Sequence, residues 1–587
     1  MLKKLVKQYF LDKKYLPFTV IIIVLIAIRF LWLDKIPVGY AHDEVEYTLN
    51  AKSYVLEGRD ISGYSFPLNF FRSETEGRIS PIPPFLLSVY YRIFELGFAS
   101  SRVPYVILNI LTAFVFFIFI QKLFRNKSLS ILALTIFLIN PWVFYYSRWG
   151  TDNTFALFIY LTATTLFLCK NVIYRYLSFF ILVVGFFTYH GAKPIFLPLT
   201  IILVVYSYYV DKAKENSLFI RNFLVLVFSF IIIFSLIDKR LPGLQLSGRF
   251  SEIFLFDNNI VGSIVNEQRK VVISNPFTQI FSNKITATLN ILLSKYLQAF
   301  NIDTLFFKGD LRATYRFENH GLLFLIDIIL IPLGLFYLII KRRKEAVLLL
   351  FLLLIAPIPT AINEIETSVI HRSFLLIPIF VTLSSLGIIY IYQILNKKLI
   401  KTVSLFFLIF LISISSMNFF YFYFYRYPVA SQENYFLSER VLANYLKKLE
   451  SNNTNVIIVS IENRPLFLES LFYFGEDAQK TYLTGIYKDT EKEDNYYLDN
   501  FIFTNNCPKI FDENEIYIVS RNIDCFGGNK YDVLIQNQKD AGAIFKIYND
   551  SVCDSSNLTP WRREHRLSDY AIESMDKQEF CNRWINI

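Results

Sequence analysis

The sequence predicts a polytopic α-helical membrane protein, with about 11 transmembrane helices and a C-terminal extracytoplasmic α/β domain. Three observations predict this fold class: an apolar composition, recurring long apolar stretches, and short β-branched runs confined to the last part of the chain. Of the 587 residues, 54% are hydrophobic and 18% aromatic, and the mean hydropathy is +0.39. These values exceed those of average soluble proteins.

Apolar stretches of about 17–25 residues are long enough to cross a bilayer as helices. They begin near Leu16, Val103, Leu129, Thr154, Tyr176, Pro194, Leu218, Gly321, Ala346, Ser373 and Lys401. The first stretch follows a basic N-terminus and lacks a small-residue cleavage site. We therefore expect an uncleaved membrane span there and not a signal peptide.

Basic residues form clusters in every second connection between these stretches. The clusters lie at the N-terminus and at 122–127, 170–175, 212–221, 341–344 and 397–398. The positive-inside rule makes these connections cytoplasmic, including the N-terminus. The loops at about 34–102 and 238–320 and the tail from about 425 are then external. We expect an integral protein of a prokaryotic plasma membrane. The net charge of +10 reflects this arrangement and does not indicate nucleic-acid binding.

The tail changes character, which predicts a membrane domain over 1–425 and a soluble extracytoplasmic α/β domain over 426–587. A helical pattern at 435–449 precedes three short β-branched runs at 455–460, 515–520 and 531–535, which predict buried strands. Four cysteines fall in this part: Cys507, Cys525, Cys553 and Cys581. They could form two disulfides in an oxidising compartment or remain free thiols, and the spacing does not decide between these alternatives.

The first external loop holds the acidic pair Asp43-Glu44 directly before a helical pattern at 44–54. A carboxylate partly desolvated near the bilayer can take a proton from an acceptor hydroxyl, so the pair is a candidate general base. It could equally cap the helix, because acidic residues favour helix N-termini. Later in the same loop, prolines precede the apolar run 84–91, which predicts a helix lying in the membrane interface.

Many ionisable residues map to the external ends of the predicted spans. They are His42, Asp43, Glu44, Asp152, His190, Lys193, Asp310, Arg312, His320, His371 and Arg372. Such groups are costly at membrane depth, so they could line one polar cavity, although span ends are also where polar side chains reach water. Arg372 and Lys193 could hold a phosphate or diphosphate, with His371 and His190 as neighbouring cations. Asp327 is an acid inside a predicted span without an evident partner.

The order of these motifs resembles the membrane glycosyltransferases of the C superfamily, in particular the family 39 protein mannosyltransferase-like and aminoarabinose-transferase-like group. The resemblance covers about the first 425 residues. Its motifs are Ala41-His42-Asp43-Glu44 with Tyr47, the prolines at 81–84, Asn140-Pro141 with Arg148 and Asp152, Lys308-Gly309-Asp310 before His320-Gly321, and His371-Arg372 before Ile377-Pro378.

The resemblance implies an inverting transfer of sugar from a polyprenyl-phosphate donor to an acceptor hydroxyl. Asp43 would be the general base, with Glu44 beside it and Asp152 as a second acid. Arg372 and Lys193, with His371 and His190, would bind the lipid phosphate. The other cavity candidates are Tyr47, Arg148, Asp310 and His320.

The sequence departs from the family pattern at two points. Aminoarabinose-transferase-like members carry a lysine just before the paired prolines, and the segment 74–80 lacks it. The metal-dependent oligosaccharyltransferase branch needs an Asp-x-Asp, which the first loop also lacks, so we expect no obligatory divalent metal and no other cofactor.

The expected partners are a polyprenyl-phosphate-linked sugar, the bilayer, and an acceptor that could be a protein, a lipid or a glycan. A ligase or polymerase of lipid-linked glycans remains an alternative, as does a transporter or flippase of lipid-linked sugars. Transporters place polar sites near the midplane of two related halves. This chain has few charges within its spans and no visible similarity between halves.

Overall fold

The computed structural model describes residues 15–65, 79–211, 217–240, 258–273, 275–310, 320–363, 368–449, 454–484, 491–492, 495–527, 530–536, 542–553, 558 and 564–586. The basic N-terminus, part of the basic cluster at 212–221, most of the segment 74–80 and Arg312 lie outside these residues.

Helices make up most of the described chain. In order they are α1 (Leu16–Ile28), α2 (His42–Glu57), α3 (Ile82–Tyr91), α4 (Val103–Phe124), α5 (Lys127–Ile139), α6 (Pro141–Tyr146), α7 (Asp152–Phe167), α8 (Val172–Phe186), α9 (Lys193–Asp211), α10 (Ser217–Arg240), α11 (Asn258–Lys270), α12 (Lys284–Gln298), α13 (Asp327–Lys341), α14 (Arg343–Ile355), α15 (Leu376–Ile394), α16 (Lys398–Tyr421), α17 (Leu437–Leu449), α18 (Asn463–Phe474), α19 (Glu476–Leu483) and α20 (Lys577–Trp584).

A helix lies at each of the eleven predicted spans, namely α1, α4, α5, α7, α8, α9, α10, α13, α14, α15 and α16. Within the described ranges, six helical segments are long and apolar enough to cross a membrane: Val103–Phe124, His190–Val210, Leu218–Leu236, Arg343–Ala361, Leu376–Ile394 and Lys398–Ala430. The chain is therefore an integral membrane protein. The other predicted spans are shorter helices, and a helix of about 15 residues rises only about 22 Å. The number of complete crossings stays a prediction.

The loop at about 34–102, which we refer to as the first loop, contains the two predicted helices. Helix α2 covers the expected 44–54, and α3 begins with prolines at its first positions, where the missing N–H would have no intrahelical partner. The helix at 84–91 is thus confirmed, and its place in the membrane interface stays a prediction.

The end of α1 is secured by a buried guanidinium. Arg148, which follows α6, is fully buried. It donates hydrogen bonds to the main-chain carbonyls of Arg29, Leu31, Trp32 and Ile36. These carbonyls follow the end of α1 and would otherwise need other donors, so this one side chain satisfies several of them and ties the first loop to the α6–α7 connection.

The last part of the chain forms an eight-stranded sheet in the order β2-β3-β4-β1-β5-β7-β6-β8. The strands are β1 (Val456–Val459), β2 (Glu491–Lys492), β3 (Asn495–Leu498), β4 (Phe501–Thr504), β5 (Ile516–Ser520), β6 (Val533–Gln536), β7 (Ala543–Tyr548) and β8 (Ile585–Asn586). The central strand β1 pairs in parallel with β4 on one side and β5 on the other. The three predicted strands correspond to β1, β5 and β6, so the α/β character of the tail is confirmed.

Both possible disulfides are present in the tail: Cys507 pairs with Cys525, and Cys553 pairs with Cys581. The predicted helix at 435–449 is α17. The predicted boundary at 425/426 falls in a helical segment, Phe422–Arg426, that directly continues α16. The division into two domains at that point therefore stays a prediction.

The sheet region packs against the first loop through a buried arginine. Arg440 of α17 is fully buried and donates to the carbonyl oxygen of Val38, two residues before Tyr40. It also pairs with Glu573 at 2.6 Å, and its guanidinium lies 3.8 Å from the ring centroid of Phe98. A buried cation needs such partners, because an unpaired one is strongly destabilising.

Three ion pairs join α2 to helices α18 and α19. They are His42–Glu469 at 3.1 Å, Glu46–Arg464 at 3.2 Å and Lys52–Glu476 at 3.1 Å. Because the pairs are spaced along the length of α2, they set its position relative to the sheet region.

The His42–Glu469 pair predicts a pH dependence of stability. Burial by itself would lower the pKa of His42, but Glu469, with Glu439 and Glu462 nearby, raises it from 6.5 to about 9. The protonated histidine therefore stabilises the fold fully below about pH 6.5, and this contribution is lost as the pH rises through about 9. We expect the melting temperature in detergent to fall across this window, by the equivalent of roughly 1–3 kcal/mol.

Burial raises the pKa of Glu469 to about 8, so its carboxyl loses a proton in the same window and also contributes to the fall. The His42→Gln variant should therefore lose only the histidine contribution, because the Glu469 carboxyl still titrates. Glu469→Gln is the matched variant, because it removes the carboxylate that raises the histidine pKa. Identical pH profiles for the wild type and His42→Gln would contradict the proposed role of the pair.

Candidate active site

Glu44 caps the helix that carries Asp43. Its carboxylate accepts a hydrogen bond from the main-chain N–H of Ala41 at 3.0 Å, which completes a capping box at the start of α2. The other carboxylate oxygen accepts from the N–H of Gly150. Burial raises the pKa of Glu44, and Arg102 opposes that shift. Glu44 thus joins the first loop to the α6–α7 connection, and its oxygens are occupied by main-chain donors.

Asp43 has a different environment from its neighbour. Its side chain is exposed, and no hydrogen bond or ion pair links it to any residue in the described ranges. Tyr47 lies four residues further on, so the two side chains share one face of α2. Burial raises the pKa of Tyr47 well above its usual value, and the charges of Asp152 and Asp43 raise it further. Asp43 therefore faces the same region as Asp152.

Asp152 is the point at which three parts of the chain meet. It is the first residue of α7 and is almost buried. Its carboxylate accepts a hydrogen bond from the Ser80 hydroxyl at 3.1 Å and another from Tyr47. The Nε2 atom of His371 lies 3.9 Å from Asp152 Oδ1. The first loop, the start of α7 and the segment before α15 are thereby brought together.

The helical turn Val369–Arg372 is held on both sides of Ile370. The main-chain N–H of Ile370 donates to Asp310 Oδ2 at 2.7 Å, and Ser368 donates to the same oxygen at 3.2 Å. The Ile370 carbonyl accepts hydrogen bonds from Trp142 Nε1, at 3.2 Å, and from the Tyr146 hydroxyl. These contacts fix the turn that presents His371 and Arg372.

Asn153 adds a further link to this turn. Its side-chain nitrogen lies 3.1 Å from the His371 carbonyl oxygen and 3.3 Å from His371 Nδ1. It also donates to the Tyr146 hydroxyl at 3.0 Å. The ring of His371 is therefore held between Asn153 on one nitrogen and Asp152 on the other.

Arg372 is partly buried, and its Nε atom is buried without a hydrogen-bond partner among the described residues. A buried guanidinium nitrogen that lacks an acceptor is costly, so the position favours an anionic ligand. The 190–193 segment approaches the same turn, because the Tyr189 ring packs edge-on against His371 with centroids 5.1 Å apart. Lys193 begins α9, with its ammonium 5.5 Å from the centroid of Phe186. His190 precedes it in a short 3-10 turn.

Three residues that the sequence analysis placed among the cavity candidates contact other parts of the protein than Asp152 and His371. The two terminal nitrogens of Arg148 donate to the carbonyls after α1, so its side chain is directed to that segment and not toward Asp152. His42 pairs with Glu469 and stacks on Phe436 with centroids 3.8 Å apart. The Nδ1 atom of His320 lies 2.7 Å from the Gly321 carbonyl oxygen, and its ring packs on Phe419. Burial lowers the pKa of His320.

The expectation that Asp327 has no partner is wrong. Asp327 is the first residue of α13, and it accepts hydrogen bonds from Ser384 of α15 at 2.7 Å and from the Phe324 N–H at 3.1 Å. Its carboxylate caps the helix start and joins two neighbouring helices.

Three contributors were not singled out from the sequence: Ser80, Asn153 and Tyr146. Ser80 is 72 positions from Asp152, and Asn153 is 218 positions from His371, so no local spacing relates them. Asn153 directly follows Asp152, and this adjacency is the one local signal that could have indicated it.

A separate cavity of about 360 Å³ lies next to His42. It is lined at the carboxyl ends of β1 and β5 by Ser460, Glu462, Ser520 and Arg521. It belongs to the sheet region and not to the Asp152 cluster. In the described part of the chain, no group of three or more His, Cys, Asp or Glu side chains is placed to hold a metal ion.

No protein-family model matches the chain, and no curated protein is similar to it. Solved structures that are similar include ArnT from Cupriavidus metallidurans bound to undecaprenyl phosphate, with 11% sequence identity and a TM-score of 0.45, where the match covers 86% of this chain and 93% of that chain. The apo state of ArnT matches with the same identity and TM-score over 89% and 97% of the two chains.

The oligosaccharyltransferase of Archaeoglobus fulgidus, tethered to an acceptor peptide containing the NVT sequon, is also similar. Its identity is 12% and its TM-score 0.43, with 78% of this chain and 63% of that chain covered. These likenesses assign no role to individual residues of this chain, so function has to be argued from its own site.

Proposed function

We propose that this protein is an inverting membrane glycosyltransferase that moves a sugar from a polyprenyl-phosphate donor to an acceptor hydroxyl at the outer membrane face. The observation that carries the proposal is the meeting of the Asp43–Tyr47 face of α2, Asp152 and the turn bearing His371 and Arg372. Acids and cations thus stand together at one end of an apolar helix bundle, where a lipid-borne phosphate would lie. The donor class follows from the family that the sequence resembles.

Asp43 is the general base of the proposed reaction. It takes the proton of the acceptor hydroxyl while that oxygen attacks the anomeric carbon. The bond from this carbon to the phosphate oxygen breaks, and polyprenyl phosphate leaves from the opposite side, which inverts the configuration. The exposure of Asp43 supports this role, because a base needs a free lone pair within reach of its substrate. The carboxylates of Glu44 and Asp152, by contrast, already accept hydrogen bonds from other residues of the protein.

Arg372 binds the leaving phosphate in this proposal, with Lys193 as a second cation and His371 and His190 beside them. The unpartnered buried Nε of Arg372 supports the assignment, because a guanidinium bonds phosphate oxygens in a fork. Positive charge placed in advance at the departing oxygens stabilises the transition state. We propose that these side chains supply that charge and that no divalent metal is obligatory.

Asp152 and Asp310 position the site in this proposal. Asp152 is the second acid of the cavity and orients Tyr47 and His371, while Asp310 fixes the turn that carries Arg372. A lipid-linked donor is confined to the membrane plane, so a fixed site at the bundle end receives it in a limited range of orientations. Proximity of this kind supplies a large part of the rate.

The outward orientation of the site is part of the proposal. The two tail disulfides support it, because disulfides persist in oxidising compartments outside the cytoplasm. The tail contacts α2 directly, so both lie on the same side of the membrane. The basic connections would then face the cytoplasm.

Replacing Asp43 tests the base. Asp43→Asn keeps the size of the side chain and removes its basicity, so sugar transfer should fall by about 10²–10⁴-fold. Donor binding and melting temperature should stay near the wild-type values. Transfer is measured with purified protein and a panel of polyprenyl-phosphate sugars. Glu57→Gln, an exposed acid at the other end of α2, is the matched control. A fully active Asp43→Asn variant would remove Asp43 as the base.

Replacing Arg372 tests the phosphate contact. Arg372→Ala removes charge-assisted hydrogen bonds to the donor, so the donor Kd should rise by about 10–100-fold. Binding is measured with polyprenyl phosphate itself, which separates this contact from the chemical step. Arg426→Ala is the control, because Arg426 is an exposed cation beside Phe422 at the end of α16. Unchanged donor affinity in Arg372→Ala would exclude the contact.

Cysteine labelling tests the orientation. In a Cys169→Ser background, which removes the free thiol, Asp477→Cys places a thiol on exposed α19. A membrane-impermeant maleimide should label it in intact cells without reductant. Asn396→Cys, between α15 and α16, should be labelled only after permeabilisation. The reverse pattern would invert the proposed topology.

A further inference from the structure

A cavity of about 530 Å³ opens at the other end of the helix bundle. It is formed where several helices end or begin: the end of α4 at Lys122–Arg125, the end of α7 at Phe167 and Leu168, and the α13–α14 junction at Arg342, Lys344 and Glu345. Lys170, Arg175, Tyr206, Ser207 and Val210 complete its lining.

The helices themselves place this cavity opposite the candidate active site. Helix α7 begins at Asp152 and ends at the cavity, and α9 begins at Lys193 and ends beside it. Helix α4 has 22 residues, which at 1.5 Å per residue is about 33 Å, close to the thickness of a bilayer core. The cavity therefore lies at the other membrane face.

The charge of the cavity lining is strongly one-sided. Six cations line it against one acid, Glu345; the cations are Lys122, Arg125, Lys170, Arg175, Arg342 and Lys344. Glu345 lies 3.7 Å from Arg342 and so compensates one of them. Lys122, Lys170 and Lys344 form no hydrogen bond or ion pair with any described residue. Like charges gathered around one hollow repel each other, and a bound anion relieves that repulsion.

Arg175 gives the cavity a fixed cationic wall. Its side chain is 7% exposed. Its Nε donates to the Cys169 carbonyl at 2.9 Å, one terminal nitrogen lies 3.3 Å from Ser207 Oγ, and the guanidinium lies 5.6 Å from the centroid of Phe219. A buried arginine held in this way is pre-organised, so little side-chain entropy is lost when it meets an anion.

The structure assigns this cavity as a binding site for a phosphate-bearing anion, either the headgroup of an anionic lipid or a soluble phosphate or diphosphate. A phosphate group offers several acceptor oxygens and at least one negative charge, which matches lysines and arginines converging from three parts of the chain. Basic pockets between membrane helices suit lipid headgroups. A lipid is favoured as the ligand that carries the phosphate, because two exposed apolar side chains lie close to Lys170. Val172 and Ile173 are 46% and 68% exposed, so an acyl chain can lie along them.

The positive-inside rule explains why basic residues lie at this face, but it does not explain why six of them surround one cavity. Two variants that each remove three positive charges distinguish a specific anion site from a general effect of membrane orientation. The site variant is Lys122→Gln/Lys170→Gln/Lys344→Gln, which removes three exposed cations from the lining. The control variant is Lys397→Gln/Lys398→Gln/Lys401→Gln, which removes three cations at the start of α16 that do not line the cavity. The full chain is delipidated and titrated with cardiolipin, and separately with inorganic phosphate and diphosphate, with binding read by native mass spectrometry.

We expect saturable anion binding by the wild type and the control variant, and an affinity lower by about tenfold or more in the site variant. If cardiolipin binds and inorganic phosphate and diphosphate do not displace it, the ligand of the cavity is a lipid headgroup. Binding of phosphate or diphosphate without cardiolipin assigns the soluble anion. The assignment would be overturned if anion affinity fell equally in both variants, or if the wild type bound none of the three anions saturably.

Discussion

The candidate site depends on the carboxylate of Asp152. It accepts hydrogen bonds from Ser80 and Tyr47, both in the first loop. His371, more than two hundred positions away in the sequence, lies near its other oxygen. A nearly buried carboxylate is costly unless its oxygens are satisfied, so these partners are constrained to stay together. The convergence of α2, the start of α7 and the turn that carries His371 and Arg372 therefore depends on satisfying one buried charge.

Other buried charged side chains stabilise the segments that surround Asp152. Glu44 links the start of α2 to Gly150, Arg148 satisfies the carbonyls after α1, and Asp310 secures the turn before α15. Each of these groups bonds mainly to the main chain, which a side-chain substitution elsewhere does not remove. Asp43 and Arg372 differ, because no hydrogen bond or ion pair joins either side chain to a described residue. Structural charges are thus occupied, and the charges assigned to chemistry remain accessible.

The tail packs directly against the first loop. Ion pairs from α18 and α19 and the buried Arg440 hold α2 and the preceding segment. Because Asp43 lies one residue after His42, any movement of the sheet region would be transmitted to the proposed base. The tail would therefore help to position Asp43 in the proposed reaction.

The sequence by itself determined the helices of all eleven predicted spans, the two helices of the first loop and three of the strands. These depend on local properties, namely the length of apolar runs, proline position and β-branched alternation. It could not separate Asp43 from Glu44, which are adjacent and chemically alike. Only the tertiary structure buried one against Gly150, 106 positions away, and exposed the other. It likewise placed Arg148 away from the site and joined the two pairs of cysteines, because such contacts depend on neighbours that are distant in the sequence.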